Sequence, residues 1–345
     1  SDLLGLVRFA NINPLVAVTK ALIVIPSPED VCIHYCVYHS RHPLAVRSDI
    51  EKRLDRAFTR HNELDFWNNE DIADAIHNRP ESHHLFVVLG TSVIEVGRDW
   101  DADWGIIEPS SMRSIIQFAG RIQRHRRNVP TSENLVILRS NIKSLQKKAP
   151  AFCKPGFETK EHLLNSHDIC ELIPIADYRT INALPRILSA NNANKLAELE
   201  HSRLSAELMS SKSKHVVAAQ WWRAPLSWNG WMQRQTPFRY SPLPEAVFFL
   251  HMDDEESEAR FYSRTGDNER KAQGNFRREE VRCASGVACW GEMDYQHVLL
   301  NLADKQSCEI ANVGEKFAEV RVPVSEEDAV DDWRYHPWLG VFRNM

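Results

Sequence analysis

No stretch of the sequence has the form G-x-x-x-x-G-K-[ST]. The chain therefore has no backbone loop that would cradle a nucleotide's phosphates by itself. Nor does it have an uninterrupted apolar run long enough to span a bilayer. The most apolar segment, "LLGLVRFANINPLVAVTKALIVI", is broken by Arg8, Asn11, Asn13, Pro14 and Lys20, and no secretory signal opens the chain, so no membrane association is expected. Positive charge is not in excess: the 345 residues carry a formal charge of −5. A grip on nucleic acid would have to be local, and the basic residues gather mainly in 113–148. The seven cysteines are scattered and odd in number, which suits a reducing cytoplasm and argues against a disulfide scaffold. Internal repeats, long low-complexity tracts and a nuclease-like His-Asp pair in suitable context are also missing.

What is present alternates between strand-like and helix-like segments over residues 1–148. "LGLVRFA", "DVCIHYCVYH", "LFVVLG", "WGIIEP" and "LVILR" are apolar runs of strand length. Between the first runs, "NPLVAVTKAL" reads as a helix with Asn13 as cap and Pro14 in its first position. In "PLAVRSDIEKRLDRAF", Leu44, Val46, Ile50, Leu54 and Phe58 recur near helical spacing. "NEDIADAIHN" is a further short helix. This is the pattern of an open parallel α/β sheet, where functional residues collect just past the carboxyl ends of strands. Residues 149–214 are first irregular and then rich in Ala, Leu and Glu, and read as a mainly helical linker. From 215 on, Trp becomes frequent and β-type runs lie among Pro, Gly and acidic turns, giving a smaller mixed or β C-terminal domain. The expected domains are thus 1–148, 149–214 and 215–345.

Two stretches carry chemistry. In "QFAGRIQRHRR", Gln117 to Arg127, a helix capped by Ser110 or Ser111 and running to about Arg124 would place Gln117, Arg121 and Arg124 on one face. Gly120 would allow close approach of another backbone. Fork-shaped guanidinium donors in such an array suit a phosphoryl group accumulating charge, although a solvated basic helix end would have the same spacing. In "VVLGTSVIEVGRDWDAD", Thr91 and Ser92 follow a buried strand, with Gly97 and Asp99 soon after.

T-S-x-x-x-x-G-x-D followed by Q-x-x-G-R-x-x-R resembles motifs V and VI of superfamily 2 helicases, in order and at a typical separation. A finer resemblance is to the helicase–nuclease of type I CRISPR systems, subtype I-F. It is carried by "LVRFANINPLV", "HYCVYHSRHPLAVRSDIEKRLD", "GTSVIEVGRDWDADW", "QFAGRIQRHR", "WWRAPLSWNGWMQRQTPFRYSP" and "YHPWLGVFR". The resemblance implies that residues 1–148 are the second of two RecA-like domains. The phosphate loop and Mg²⁺ site would belong to a first domain outside this chain, as would the nuclease and an adaptation-type domain, and ATP and Mg²⁺ would be held mainly by that first domain. The chain starts at Ser1 and enters apolar sequence at once, as a cut from something longer would. By the same resemblance Arg124 is an arginine finger, Arg121 and Gln117 act beside it, and Gly97, Asp99 and Gly120 line the nucleotide cleft. Thr91 and Ser92 would touch the nucleic-acid backbone. Arg8, His39, Ser40 and Arg41, at the ends of "VRFAN" and "YHSR", would face the single strand. The implied activity is ATP-dependent 3′→5′ translocation on single-stranded DNA, feeding a nuclease in CRISPR interference. The implied partners are the first RecA-like and nuclease domains, the RNA-guided Cascade complex, the CRISPR integrase and phage anti-CRISPR inhibitors.

Other readings stay open. The chain could be a non-catalytic DNA- or protein-interaction module, or part of another superfamily 2 motor such as a restriction subunit. Trp221, Trp222, Trp228, Trp231, Phe238 and Tyr240, interleaved with Arg223, Arg234 and Arg239, could stack on bases, but a packed core accounts for them better. "CIHYC" puts Cys32, His34 and Cys36 on one strand face. A metal would need ligands from a neighbouring element, so a buried strand is the expectation and no metal site is assigned. Cys283 and Cys289 read as structural, His83–His84 as an exposed turn, and "AVFFLHMDDEES" as an acidic turn.

Overall fold

A computed structural model describes residues 3–61, 66–95, 97–126, 130–153, 155–188, 194–209, 245–264, 270–272, 276–323 and 333–343. The chain divides into two compact units. One comprises Ser1–Ile107, Gln117–Val136 and Glu245–Met345, the other Glu108–Ile116 and Ile137–Pro244. The tryptophan- and arginine-rich stretch 221–240 lies outside the described residues.

The first unit is built on a six-stranded sheet. In chain order the early elements of the chain are β1 (Leu3–Arg8), α1 (Ile12–Ile23), β2 (Val31–Tyr38), α2 (Leu44–Phe58), α3 (Glu70–His77), β3 (His83–Gly90), β4 (Trp104–Ile107), α4 (Met112–Ala119) and β5 (Leu135–Ile137). The first four strands run parallel. Val31 to Tyr38 pair residue by residue with His83 to Gly90, and Leu3 to Arg8 with Leu85 to Gly90. Gly5 to Arg8 pair in turn with Trp104 to Ile107. The expected RecA-like parallel sheet with flanking helices is therefore present. Strands buried on both faces need near-continuous apolar sequence, which explains "VCIHYCVY" and "HLFVVLG". On α2, Val46, Ile50, Leu54, Ala57 and Phe58 form the buried stripe, and Phe58 packs on Trp100 with ring centroids 5.2 Å apart.

Helix α1 begins two residues earlier than the sequence suggests, with Asn11 at its boundary and Pro14 inside the first turn. An N–H has no intrahelical partner there, so proline costs little. Asn13 is released from capping; its Oδ1 accepts from Arg41 Nη1 at 3.0 Å and from the Arg343 amide at 3.4 Å.

The later part of the chain adds α5 (Ile142–Leu145), α6 (Ile169–Leu172), α7 (Ile175–Arg179), α8 (Leu184–Ile187) and α9 (Lys195–Met209), all in the second unit. There Glu158 is fully buried. Its carboxylate accepts the amides of Ala151, Phe152 and Leu164 and faces His167 Nε2 at 2.8 Å. Then follow β6 (Glu245–His251), β7 (Arg260–Arg264), β8 (Arg270–Ala272), β9 (Phe276–Arg278), β10 (Val287–Cys289), α10 (Tyr295–Gln306), α11 (Ile310–Phe317), β11 (Glu319–Pro323), β12 (Trp333–His336) and β13 (Gly340–Phe342). They form a four-stranded sheet in the order β11-β6-β7-β8 and a three-stranded sheet in the order β13-β12-β9. The acidic turn after β6 is closed by Asp254, whose Oδ1 accepts from Ser257 N at 2.7 Å.

Strand β10 does not stay in these smaller sheets. It pairs in parallel with β2, Val287 to Cys289 against Ile33 to Tyr35, as the outermost strand of the six-stranded sheet. Val287, Trp338, Leu339 and Phe342 enter the core that Leu15, Val16 and Ile23 of α1 form with Tyr35, Val37, Val87 and Leu89. Trp338 Nε1 lies 3.1 Å from the carbonyls of both Tyr35 and Trp290. Residues of the later chain thus complete one core with the first hundred residues.

Candidate functional site

Register fixes where the site lies. Arg8, Tyr38 and Gly90 are level at the carboxyl ends of β1, β2 and β3, so the residues following them line one edge of the sheet. After β3, Thr91 is buried and precedes a short 3-10 turn, Ser92–Ile94, while Ser92 is half-exposed. The chain then reaches Glu95, which is 3% exposed and ion-paired with Arg8, itself fully buried. Gly97 follows with φ +68 and open space where a side chain would stand. A positive φ is strained for any residue with a Cβ, so glycine frees this turn to bring Arg98 and Asp99 back toward the sheet edge.

The arginine stretch folds differently from the expected continuous helix. Ser111 does cap α4, its Oγ accepting from Ser114 N at 3.1 Å, but α4 ends at Ala119. Beyond Gly120, Ile122 bridges to Ala102: Ala102 N donates to Arg121 O at 2.9 Å and Gln123 N to Ala102 O at 2.8 Å. These two backbone bonds replace helical ones and turn the chain, with Gln123 at φ +48. Gln117, Arg121 and Arg124 therefore do not share a helical face. Gln117 is half-buried on α4, and Gly120 is exposed just past it.

The two arginines instead reach the loop after β3. Arg121 Nε and Nη2 lie 3.2 and 3.0 Å from the Glu95 carbonyl, while its Nη1 is buried without a hydrogen-bond partner among the described residues. Burial, and then the charge of Arg124, lower the hold of Arg121 on its proton. Arg124 Nε donates to Asp99 at 2.7 Å, a pair about half exposed on both sides. Asp99 also faces His125 at 3.2 Å. Desolvation raises the Asp99 carboxyl, but the Arg124 bond and the nearby His125 outweigh it and hold the group below its ordinary range.

The remaining predicted residues divide. Ser40 is exposed. Arg41 is half-buried, bonded to Asn13, with its guanidinium 5.1 Å from the Trp333 ring centre. Arg343 lies 4.4 Å from the same ring. Burial and the neighbouring Arg343 charge push Arg41 down to about 10, so it stays cationic at neutral pH. His39 and Arg8 correct the sequence expectation, because neither offers surface to a strand. His39 is fully buried; its Nδ1 accepts from the Arg41 amide at 3.1 Å and its Nε2 donates to Leu339 O at 2.8 Å. A Cβ at Gly340, where φ is +70, would come within 2.6 Å of this ring. His39 thus fixes the Arg41 loop, and Arg8 fixes Glu95.

Three further groups escaped sequence reasoning. Glu95 anchors the loop at both its carboxylate and its carbonyl. Arg98 pairs with Glu51 and lies 3.2 Å from Tyr38 Oη, while Trp100 Nε1 donates to Asp55 at 2.6 Å. Arg126 clasps Asp101 at 2.7 Å and Asp103 at 2.5 Å. The available signal was the density of alternating charge in "EVGRDWDAD", with acids spaced to meet basic groups from other elements.

A parallel sheet with these loops along its carboxyl edge defines a RecA-like α/β domain. Residues 2–127 match the family described as CRISPR-associated nuclease/helicase Cas3, C-terminal. Residues 245–343 match the CRISPR-associated Cas3 subtype I-F/YPEST-like C-terminal domain. Two curated relatives, both named CRISPR-associated nuclease/helicase Cas3 subtype I-F/YPEST, align over nearly the whole chain. One, from Pectobacterium atrosepticum, is 45% identical over 98% of this chain; the other, from Pseudomonas aeruginosa, is 38% identical over 97%. The chain spans 32% of the length of each relative. Among solved structures, T. fusca Cas3-AMPPNP aligns with 40% of this chain and 14% of its own at 19% identity and a TM-score of 0.28. The chain belongs to the subtype I-F/YPEST Cas3 family and corresponds to its C-terminal portion. Among the described residues, no helix is long and apolar enough to cross a membrane.

Proposed function

We propose that this chain supplies the second RecA-like domain (1–148), a mainly helical linker (149–214) and a C-terminal segment (215–345) of an ATP-dependent 3′→5′ translocase. That motor pulls single-stranded DNA toward a nuclease in type I-F CRISPR interference. The observation that carries this reading is the meeting of two loops: Arg121 and Arg124 converge on Glu95 to Asp99 at the carboxyl edge of the sheet. The residues fit a phosphate group: Arg121 Nη1 is a buried donor without a partner among the described residues, and the Gly97 turn stands open.

ATP and Mg²⁺, held mainly by the first RecA-like domain, would supply the phosphoryl group whose cleavage drives movement. This chain's residues act on its charge. Arg121 is fixed by the Glu95 carbonyl and presents its remaining donor. Arg124 exchanges Asp99 for phosphate oxygen, and that exchange is cheap because an exposed pair is worth at most ~1 kcal/mol. Asp99, Gly97 and Gly120 shape the cleft, and Gln117 lines it from α4. Thr91, Ser92, Ser40 and Arg41 contact the DNA backbone without reading sequence. Partners under this reading are the first motor and nuclease domains, Cascade, the CRISPR integrase and phage anti-CRISPR inhibitors, in the cytoplasm.

The test is DNA-stimulated ATP turnover by the full two-domain protein. Arg124→Ala is expected to lower turnover by about 10³-fold, the low end for an arginine finger. Unchanged turnover would remove that role from Arg124. Single-strand binding should also weaken steeply with salt, since phosphate contacts release counterions. A flat response would favour a protein-interaction module.

A further inference from the structure

The amino-terminal edge of the same sheet carries a cluster that the motor reading does not use. Cys32 and His34 alternate on β2, so their side chains share a face. On the neighbouring strand His84 sits directly opposite Cys32 in register. Sequence reading placed His84 in an exposed turn; it is instead the second residue of β3 and 4% exposed, beside Cys32 at 0% and His34 at 2%. The ligand atoms of all three lie within 4.8 Å of one another, and His34 Nε2 is 2.9 Å from His84 Nδ1. From the loop leading into β3, Glu81 adds a carboxylate whose Oε2 is buried with no hydrogen-bond partner among the described residues. Its charge acts on Cys32, as does that of Arg79, which acts on His34 too.

We propose that Cys32 Sγ, His34 Nε2 and His84 Nδ1, completed by the Glu81 carboxylate, form a structural site for one zinc-class divalent cation. A tetrahedral ion with bonds of about 2.0–2.3 Å holds its ligands roughly 3.3–3.8 Å apart. The two ring nitrogens need only open slightly from their present hydrogen bond, and Cys32 Sγ stays within the cluster's present span. Charge also matches: thiolate and carboxylate neutralise a divalent ion, while the imidazoles add none. Each imidazole binds through a ring-nitrogen lone pair. Binding forms an S–metal bond at Cys32 and releases the thiol proton to solvent. Sequence alone offered only one strand's ligands; the pairing of β2 with β3 brings the others. Six residues of strand separate Cys32 from the carboxyl edge, roughly 20 Å at ~3.3 Å per residue, so the ion would stabilise the sheet without entering the nucleotide cleft.

The experiment uses the purified protein, stripped with chelator and dialysed against Zn²⁺ or Co²⁺. One zinc per chain by elemental analysis, and a cobalt spectrum with a thiolate charge-transfer band, are the expected results. Cys32→Ser should abolish that band. Glu81→Gln should weaken zinc binding tenfold or more while circular dichroism stays unchanged, and it carries the test if Cys32→Ser fails to fold. Cys283 and Cys289, whose sulfurs lie 3.3 Å apart, are the competing thiols, so Cys283→Ser should leave binding intact. The proposal is overturned if the protein takes up no stoichiometric metal, if uptake is indifferent to both Cys32→Ser and Glu81→Gln, or if Cys283→Ser removes it.

Discussion

Arg8 and Arg124 both meet an acidic residue of the loop that follows β3, four positions apart, yet the two pairs live in different media. Arg8 and Glu95 are almost wholly removed from water, whereas Arg124 and Asp99 are each about half exposed. A buried charge left without its partner is costly, so the inner pair locks the loop's base. Water competes for the outer pair, so its partners can be exchanged. One short loop thereby combines a fixed root with a releasable tip, which suits a cation that must change partners.

The sharpest way to break the contrast is at the root. Arg8→Ala removes the cation paired with the buried Glu95 and is expected to cost about 3–5 kcal/mol of unfolding free energy, measured by denaturant titration. A loss under about 1 kcal/mol would place Arg8 with the surface pairs. Arg126 is intermediate: it is 27% exposed but clasps the fully buried Asp101. Arg126→Ala should cost about 2 kcal/mol, because the His125 amide still donates to Asp101 at 3.3 Å.

In the second unit, Glu158 tests the same rule by pH. Desolvation raises its carboxyl, but the Phe152 amide, His167 and the Leu164 and Ala151 amides outweigh it and hold the group below its ordinary range. The stability this contributes is complete above the unfolded carboxyl value of about 4.3 and is lost as pH falls through the lower folded value. Glu158→Gln should flatten that acid limb in thermal unfolding followed against pH, and an unchanged limb would assign it to other carboxylates. Smallest of all is the tip: Arg124→Ala should change stability by less than about 1 kcal/mol, in low or high salt.

Much of this arrangement was legible. Apolar runs of strand length gave β1 to β5, and the stripe of Val46, Ile50 and Leu54 gave α2, because both follow from local periodicity. Thr91, Gly97, Asp99, Arg121 and Arg124 stood out through their order and spacing. The end of α4 did not, since the bridge from Ile122 to Ala102, and not any helix-breaking residue after Gly120, turns the chain. The burial of Arg8 depends on Glu95, 87 positions away, and that of His39 on Leu339, 300 away. Strand β10 is three residues long and finds its partner across more than two hundred positions. No local pattern encodes such pairings.

Trp338, bonded to Tyr35 across 303 positions, has a consequence for how the protein is made. A ribosome delivers β1, α1 and β2 long before it delivers β10 and the tail that closes over them. Until then Leu15, Val16, Tyr35 and Val37 wait with an incomplete apolar cover, on a sheet whose β2 edge is unpaired. Nascent chains in that interval are candidates for chaperone capture, and translation arrested before residue 287 would release a product that cannot bury its own core.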